Sequence, residues 1–217
     1  MQIDRDEFLR YLGWKGQKTE DTLLQKLDEA AQKCLALASP RSVVRKFTLT
    51  REGELAGTGF FLQGQDIRKH LSGCREIYLL AATLGQGVDR AVSVAENKSA
   101  HEALLLDTAA SCAAESYCDD ISEDLQRDCP TLLTPRFSCG YGDFPLRAQR
   151  EICALLRTDS QIGLCCDESF LLTPRKSVTA LIGITDLPRT QSPARGCGNK
   201  CASCKHGGCA FRKRTEP

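Results

Sequence analysis

Apolar positions recur at helical spacing in some stretches of this chain and at strand spacing in others, and the two kinds follow one another without a fixed rhythm. Leu23, Leu24, Leu27, Ala30, Ala31 and Leu35 share one face of a helix predicted over Asp21–Ala38, which stops at Ser39-Pro40. A shorter helix is predicted over Asp4–Leu12. Ser42–Thr50 and Glu54–Leu62 are rich in Val, Phe and Thr and are separated by Arg51-Glu52-Gly53, which predicts a hairpin. A short helix over Asp66–Leu71 ends at Gly73. Glu76–Thr83, EIYLLAAT, is a continuous apolar run of strand length, the pattern of a central strand covered on both faces.

Helical spacing resumes in Gln86–Glu96 and is longest in His101–Gln126, whose middle, DTAASCAAESYCDD, is built of small residues. Small side chains let a second backbone or a ligand come close. Glu115 lies one turn after Ser111 and one before Cys118 and Asp119, so it stands among those small residues. Further on, Gly163–Ser169 and Ser177–Ile184 have strand character and are joined by Leu171–Lys176. Strands and helices mixed in this way predict an α+β fold.

The run Leu132–Leu146, LLTPRFSCGYGDFPL, departs from ordinary core patterning. Pro135 and Pro145 bracket it, and Gly140 and Gly142 flank Tyr141. Glycine there permits a positive φ or a ligand lying against the backbone. Arg136, four positions before Gly140, is a fixed cation with a planar donor fork suited to a carboxylate or phosphate. Asp143 has the position of a cap for a helix over Leu146–Arg157, with Pro145 in its first turn.

Composition narrows the setting. Lys and Arg number 29 against 28 Asp and Glu, for a formal net charge of +1, so no overall charge excess points to nucleic acid. The first residues carry charges where a signal peptide needs an apolar run, and no apolar stretch reaches the length of a membrane span. The expectation is a cytoplasmic protein. Its 13 cysteines are then poorly explained by disulfides. Nine are scattered, whereas Cys197, Cys201, Cys204 and Cys209 crowd into a glycine-containing tail. Four thiolates at that spacing suit tetrahedral zinc or an iron–sulfur cluster. The expected organisation is a folded region over residues 1–184, with a helical part at 1–40, a polar Pro- and Arg-rich linker at 185–196, and the Cys-rich tail at 197–217.

With these pieces in order, the chain resembles the activation domain of vitamin B12-dependent methionine synthase. The resemblance is carried by HLSGCREIYLLAATLG (70–85), DTAASCAAE (107–115), RFSCGYGDFPL (136–146) and ESFLLTPRKSVTALIGI (168–184). It implies a twisted, mainly antiparallel sheet with flanking helices and a shallow groove for S-adenosylmethionine. It also implies a partner, a cobalamin-dependent methionine synthase or its cobalamin domain, which carries the cobalamin. The implied role is reductive reactivation: cob(II)alamin takes one electron, and cob(I)alamin then takes a methyl group from S-adenosylmethionine. By the same resemblance Arg136 faces the ligand carboxylate, Gly140, Tyr141 and Gly142 form a wall with backbone contacts, Glu115 attracts the ammonium or sulfonium, and Ser177 lies near the groove. The family's Pro-x-Cys-Pro after the Gly-Tyr pair is Gly142-Asp143-Phe144-Pro145 here. The tail lies outside the resemblance and is read as an electron entry point from ferredoxin or flavodoxin. The alternative reading is a Cys-cluster electron-transfer or corrinoid-protein activator module that does not bind S-adenosylmethionine.

Overall fold

The computed structural model describes residues 1–14 and 20–188. Two helices open the chain, α1 (Arg5–Tyr11), capped by the Asp4 side chain, and α2 (Asp21–Leu37). Strand β1 (Arg41–Thr48) meets the residues that follow it only at its end, where the Thr48 carbonyl accepts from the Ala56 N–H at 2.9 Å. It pairs antiparallel with β4 (Glu76–Thr83), placing Arg41 opposite Thr83 and Thr48 opposite Glu76. The predicted hairpin is therefore reduced to its turn, closed by the Thr50 N–H donating to the Glu54 carbonyl at 2.9 Å. Only an isolated bridge joins Leu49 to Leu55, and the residues beyond form their own small hairpin from β2 (Glu54–Leu55) and β3 (Phe60–Phe61). Gly57 and Gly59, both at positive φ, make that second reversal, which the apolar pattern alone does not reveal.

The central place expected for Glu76–Thr83 is observed. β4 lies between β1 and β9 (Ser177–Pro188) in a sheet of order β1-β4-β9-β5, all pairs antiparallel. Its side chains alternate between two clusters, Ile77, Leu79 and Ala81 on one face and Leu80 and Ala82 on the other. β9 continues through Pro188, past the point where the composition turns polar. Strand β7 (Cys165–Cys166) is shorter than expected and pairs with β8 (Leu172–Thr173).

The edge beyond β9 is built from two short pieces, β5 (Thr131–Leu133) and β6 (Phe137–Ser138). Pro135, which has no N–H to give, falls between them, as suits an interrupted edge. Thr134 bridges the gap: its backbone N–H donates to the Gly183 carbonyl at 2.9 Å, and its hydroxyl accepts from the Gly183 N–H at 2.8 Å.

Helices cover both faces. On one lie α3 (Gln65–His70), α6 (Ala148–Leu156) and α7 (Thr158–Ile162), with Ile67, Phe144, Ile152 and Leu156 in the core. On the other lies α5 (Ala100–Asp128), which Ser99 caps by accepting from the Glu102 N–H. The small residues of α5 serve helix packing: Ala109, Ala110, Cys112 and Ala113 are buried with Leu27 of α2 and Val88 and Val92 of α4 (Gln86–Glu96). α4 approaches α2 so closely that a Cβ on Gly87 would come within 2.6 Å of the Leu37 carbonyl oxygen. The C-terminal half of α5 then crosses the sheet through Cys118, Ile121 and Leu125. Among the described residues no helix is long and apolar enough to cross a membrane.

Candidate functional site

The break at Pro135 sets the direction of the next side chain. Arg136 leaves the sheet edge toward α5, where its guanidinium meets three residues spaced one turn apart, Glu115, Asp119 and Ser122. One terminal nitrogen donates to Asp119 Oδ1 at 2.6 Å and to Ser122 Oγ at 3.2 Å. The other donates to Glu115 Oε2 at 2.9 Å. Arg136 is 11% exposed, Asp119 28% and Glu115 45%, so the cation is inside and Glu115 opens the cluster to solvent. Burial works against the charge on Arg136, and Cys118, Asp119 and Glu115 more than offset it, so its pKa is raised. Burial also pushes the Cys118 thiol up to about 12, leaving the two carboxylates as the charges that matter at neutral pH. The cluster nets one negative charge.

The structure brings Arg136 and Glu115 together, paired with each other, and adds Asp119 and Ser122, which sequence reasoning missed. Their spacing from Glu115 along one helix face is the signal that was available.

Farther toward the N-terminus of α5, Lys176 donates to Ser111 Oγ at 2.9 Å and pairs with Asp107 at 2.8 Å. Ser177, next in the chain, is not drawn into the Arg136 cluster. It sits at the start of β9 opposite Thr83, donates to the Pro174 carbonyl at 2.6 Å, and lies 2.8 Å from the Thr83 hydroxyl. That hydroxyl ties the end of the sheet together.

The Gly-Tyr loop closes on itself. The Gly140 N–H donates to the Phe144 carbonyl at 2.9 Å, and the Tyr141 N–H to the Ser138 carbonyl at 3.3 Å. Gly140 has φ +84° and Gly142 φ +52°, as the turn chemistry predicts. Because both N–H groups have partners in the loop, its principal offer to a ligand is the Tyr141 ring, 57% exposed and edge-on to Phe137 at 6.3 Å. His70 supports Phe137 from behind, its ring 4.9 Å away and its Nε2 2.8 Å from the Pro135 carbonyl oxygen.

Asp143 does not cap the helix that follows it. Its carboxylate accepts from the Gln65 and Asp66 N–H groups at the start of α3, at 2.6 and 2.9 Å, and Asp66 in turn accepts from the Asp143 N–H. α6 has no side-chain cap. The contact is tight enough that a Cβ on Gly142 would lie 2.1 Å from the Asp66 carboxylate, so glycine is needed there for space as well as for φ.

Cys197, Cys201, Cys204 and Cys209 lie outside the described residues. Among the described residues no group of His, Cys, Asp and Glu is arranged to hold a metal ion.

No protein-family profile and no curated protein sequence matches the chain. Among solved structures, the crystal structure of the MetH reactivation domain bound to AdoHcy matches 89% of this chain and 79% of its own, with a TM-score of 0.55 and 17% sequence identity. The resemblance expected from the motifs thus holds in three dimensions: this chain has the α+β fold of the MetH reactivation domain.

Proposed function

We propose that the chain is an accessory subunit for reductive reactivation of a cobalamin-dependent methionine synthase and binds S-adenosylmethionine at the sheet edge formed by α5 and the Gly-Tyr loop. The observation that carries this reading is the Arg136–Glu115 pair between the sheet edge and α5, on the fold of a reactivation domain whose solved structure holds AdoHcy. S-adenosylmethionine presents a sulfonium and an ammonium beside its carboxylate. A half-exposed Glu115 in a cluster of net charge −1 suits the cationic groups, and Tyr141 suits the flat or apolar parts. Arg136 already has two carboxylates, so in this reading it acts mainly by holding Glu115 in place. The ligand carboxylate reaches Arg136 only by displacing one of them.

The partner carries the cobalamin, and cobalt and the methyl donor supply the chemistry. This chain binds and orients the donor and presents it to the corrinoid. The four tail cysteines are the electron entry point in this proposal, on the strength of their spacing alone, holding an iron–sulfur cluster fed by ferredoxin or flavodoxin. Anaerobic purification followed by iron, sulfide and zinc analysis tests that part, and stoichiometric zinc without iron or sulfide overturns it.

Calorimetric titration of S-adenosylmethionine into wild type, Glu115→Gln, Arg136→Ala and a chain truncated before Cys197 tests the site. Wild type and the truncation are expected to bind alike. Glu115→Gln should weaken binding about tenfold or more, the loss of one charge-assisted contact, and Arg136→Ala, which releases Glu115, should weaken it by a similar factor. Unchanged binding in both substitutions would remove the site from this edge. No binding in wild type, with or without a cobalamin-loaded methionine synthase, would favour the second reading, an electron-transfer or corrinoid-activating module. The engagement of Arg136 by two carboxylates of α5 is the observation on that reading's side.

A further inference from the structure

A cavity of about 360 Å³ opens between the β2–β3 hairpin, the start of α6 and Phe170. It lies with the core of α3, α6 and α7, on the sheet face opposite α5, and the function proposed above gives it no role. Phe60, Phe61 and Phe170 make its walls aromatic, and Phe61 is 48% exposed. Its charged lining is Arg147, Arg150 and Glu151, a net charge of +1.

Neither arginine is neutralised. Arg147 donates to the Gln63 side-chain carbonyl. Arg150 donates to the Asp167 backbone carbonyl at 2.9 Å and lies 4.9 Å over the Phe170 ring. None of the described ion pairs involves either residue. Neutral acceptors orient a guanidinium while leaving its full charge for an incoming anion. Phe170 holds φ +63°, unusual for an aromatic residue, and it is kept there by the Gln149 side-chain amide donating to its carbonyl at 2.6 Å and by the stacked Arg150. The surroundings thus fix the aromatic wall against the cation.

We propose that this cavity binds a small aromatic anion, a planar ring carrying a phosphate or a carboxylate, with the ring against Phe60 and Phe61 and the anion on Arg147 and Arg150. The volume is at the low end for ligand pockets, which limits the ligand to about the size of a mononucleotide. Glu151 is placed to accept from an amino or hydroxyl group of the same molecule.

The test is a titration of the isotopically labelled full chain with 5′-AMP, benzoate and inorganic phosphate, reading the backbone amide resonances of Phe61, Arg150 and Phe170. Saturable shifts at these amides are expected with at least one aromatic anion, and the tighter of the two identifies the source as phosphate ester or carboxylate. Phosphate alone should bind about tenfold more weakly. The double variant Arg147→Gln/Arg150→Gln should lose about tenfold or more in affinity. Phe61→Ala, at an exposed ring whose loss leaves the core intact, should reduce the aromatic ligand to the affinity of phosphate. No shift with either aromatic anion, equal binding of phosphate alone, or an unaltered double variant would each overturn the proposal. Because the readout is the cavity's own amides, failure of S-adenosylmethionine to bind at the α5 edge leaves this test unaffected.

Discussion

Asp143 illustrates how a single side chain takes a role that its neighbours in the chain do not announce. Followed by Phe144 and Pro145, it has the position of a helix cap, and it is one, but for α3, nearly eighty residues earlier. The two backbone N–H groups it accepts from stabilise its charged form, and its pKa is lowered from the ordinary 3.8. A lowered folded pKa means that the contact contributes stability above the ordinary carboxylate value and loses it as pH falls through the folded value. Asp143→Ala is therefore expected to be less stable than wild type at neutral pH, with the two urea-unfolding midpoints converging as pH drops below about 4. A gap that stays constant down to pH 2 would show that the carboxylate charge is not what holds the loop to α3. Arg136 was legible as a cation for a carboxylate because guanidinium geometry is the same wherever it occurs. That its carboxylates come first from α5 was not, since Asp119 belongs to an acidic stretch whose spacing equally describes a solvated face.

At the scale of elements, most helices and the central strands could be read from periodicity, because α2, α4, α5 and β4 each bury a consistent set of side chains. What could not be read was partnership. β1 is followed by residues of good strand character, yet its ladder is with β4, and neither strand's pattern encodes the other's register. The edge pieces β5 and β6 are too short to have a pattern, and it is β9 that aligns them. Gly183, in the middle of β9, marks how tightly that alignment is packed: a Cβ there would meet Cys74 Sγ at 2.6 Å, Leu71 Cδ2 at 2.9 Å and Thr134 Cγ2 at 3.1 Å. Leu71 and Cys74 are buried, so they have little room to move. Gly183→Ala is expected to cost about 1–3 kcal/mol by overpacking, measured by denaturant unfolding. A neutral or stabilising effect would mean that the edge yields more easily than its contacts indicate.

For the molecule as a whole, burial explains seven of the nine scattered cysteines. Cys139 belongs to the cluster on the α6 side of the sheet, Cys34 and Cys112 to the helical cluster, and Cys118 to the cluster beneath the second half of α5. Burial pushes Cys34 up to about 11 and Cys112, Cys118 and Cys139 up to about 12. These thiols stay protonated and unreactive at neutral pH, as apolar core atoms. Brief alkylation of the native chain at pH 7 should modify the exposed Cys165 first among the nine described cysteines, and leave those four until the chain unfolds, as peptide mass spectrometry would reveal. Rapid native labelling of Cys118 would contradict the closed packing of α5 on the sheet.

The position of β9 has a further consequence for how the protein is made. It is the last described element and also an interior strand, bonded to β4 on one side and to β5 and β6 on the other. As the chain emerges from the ribosome, β4 presents an unpaired, apolar edge from its own synthesis until Ser177–Pro188 arrives about a hundred residues later. Through that interval the nascent chain is a substrate for chaperones and for its own aggregation, and the sheet closes in one late step that zips three partners onto a single strand.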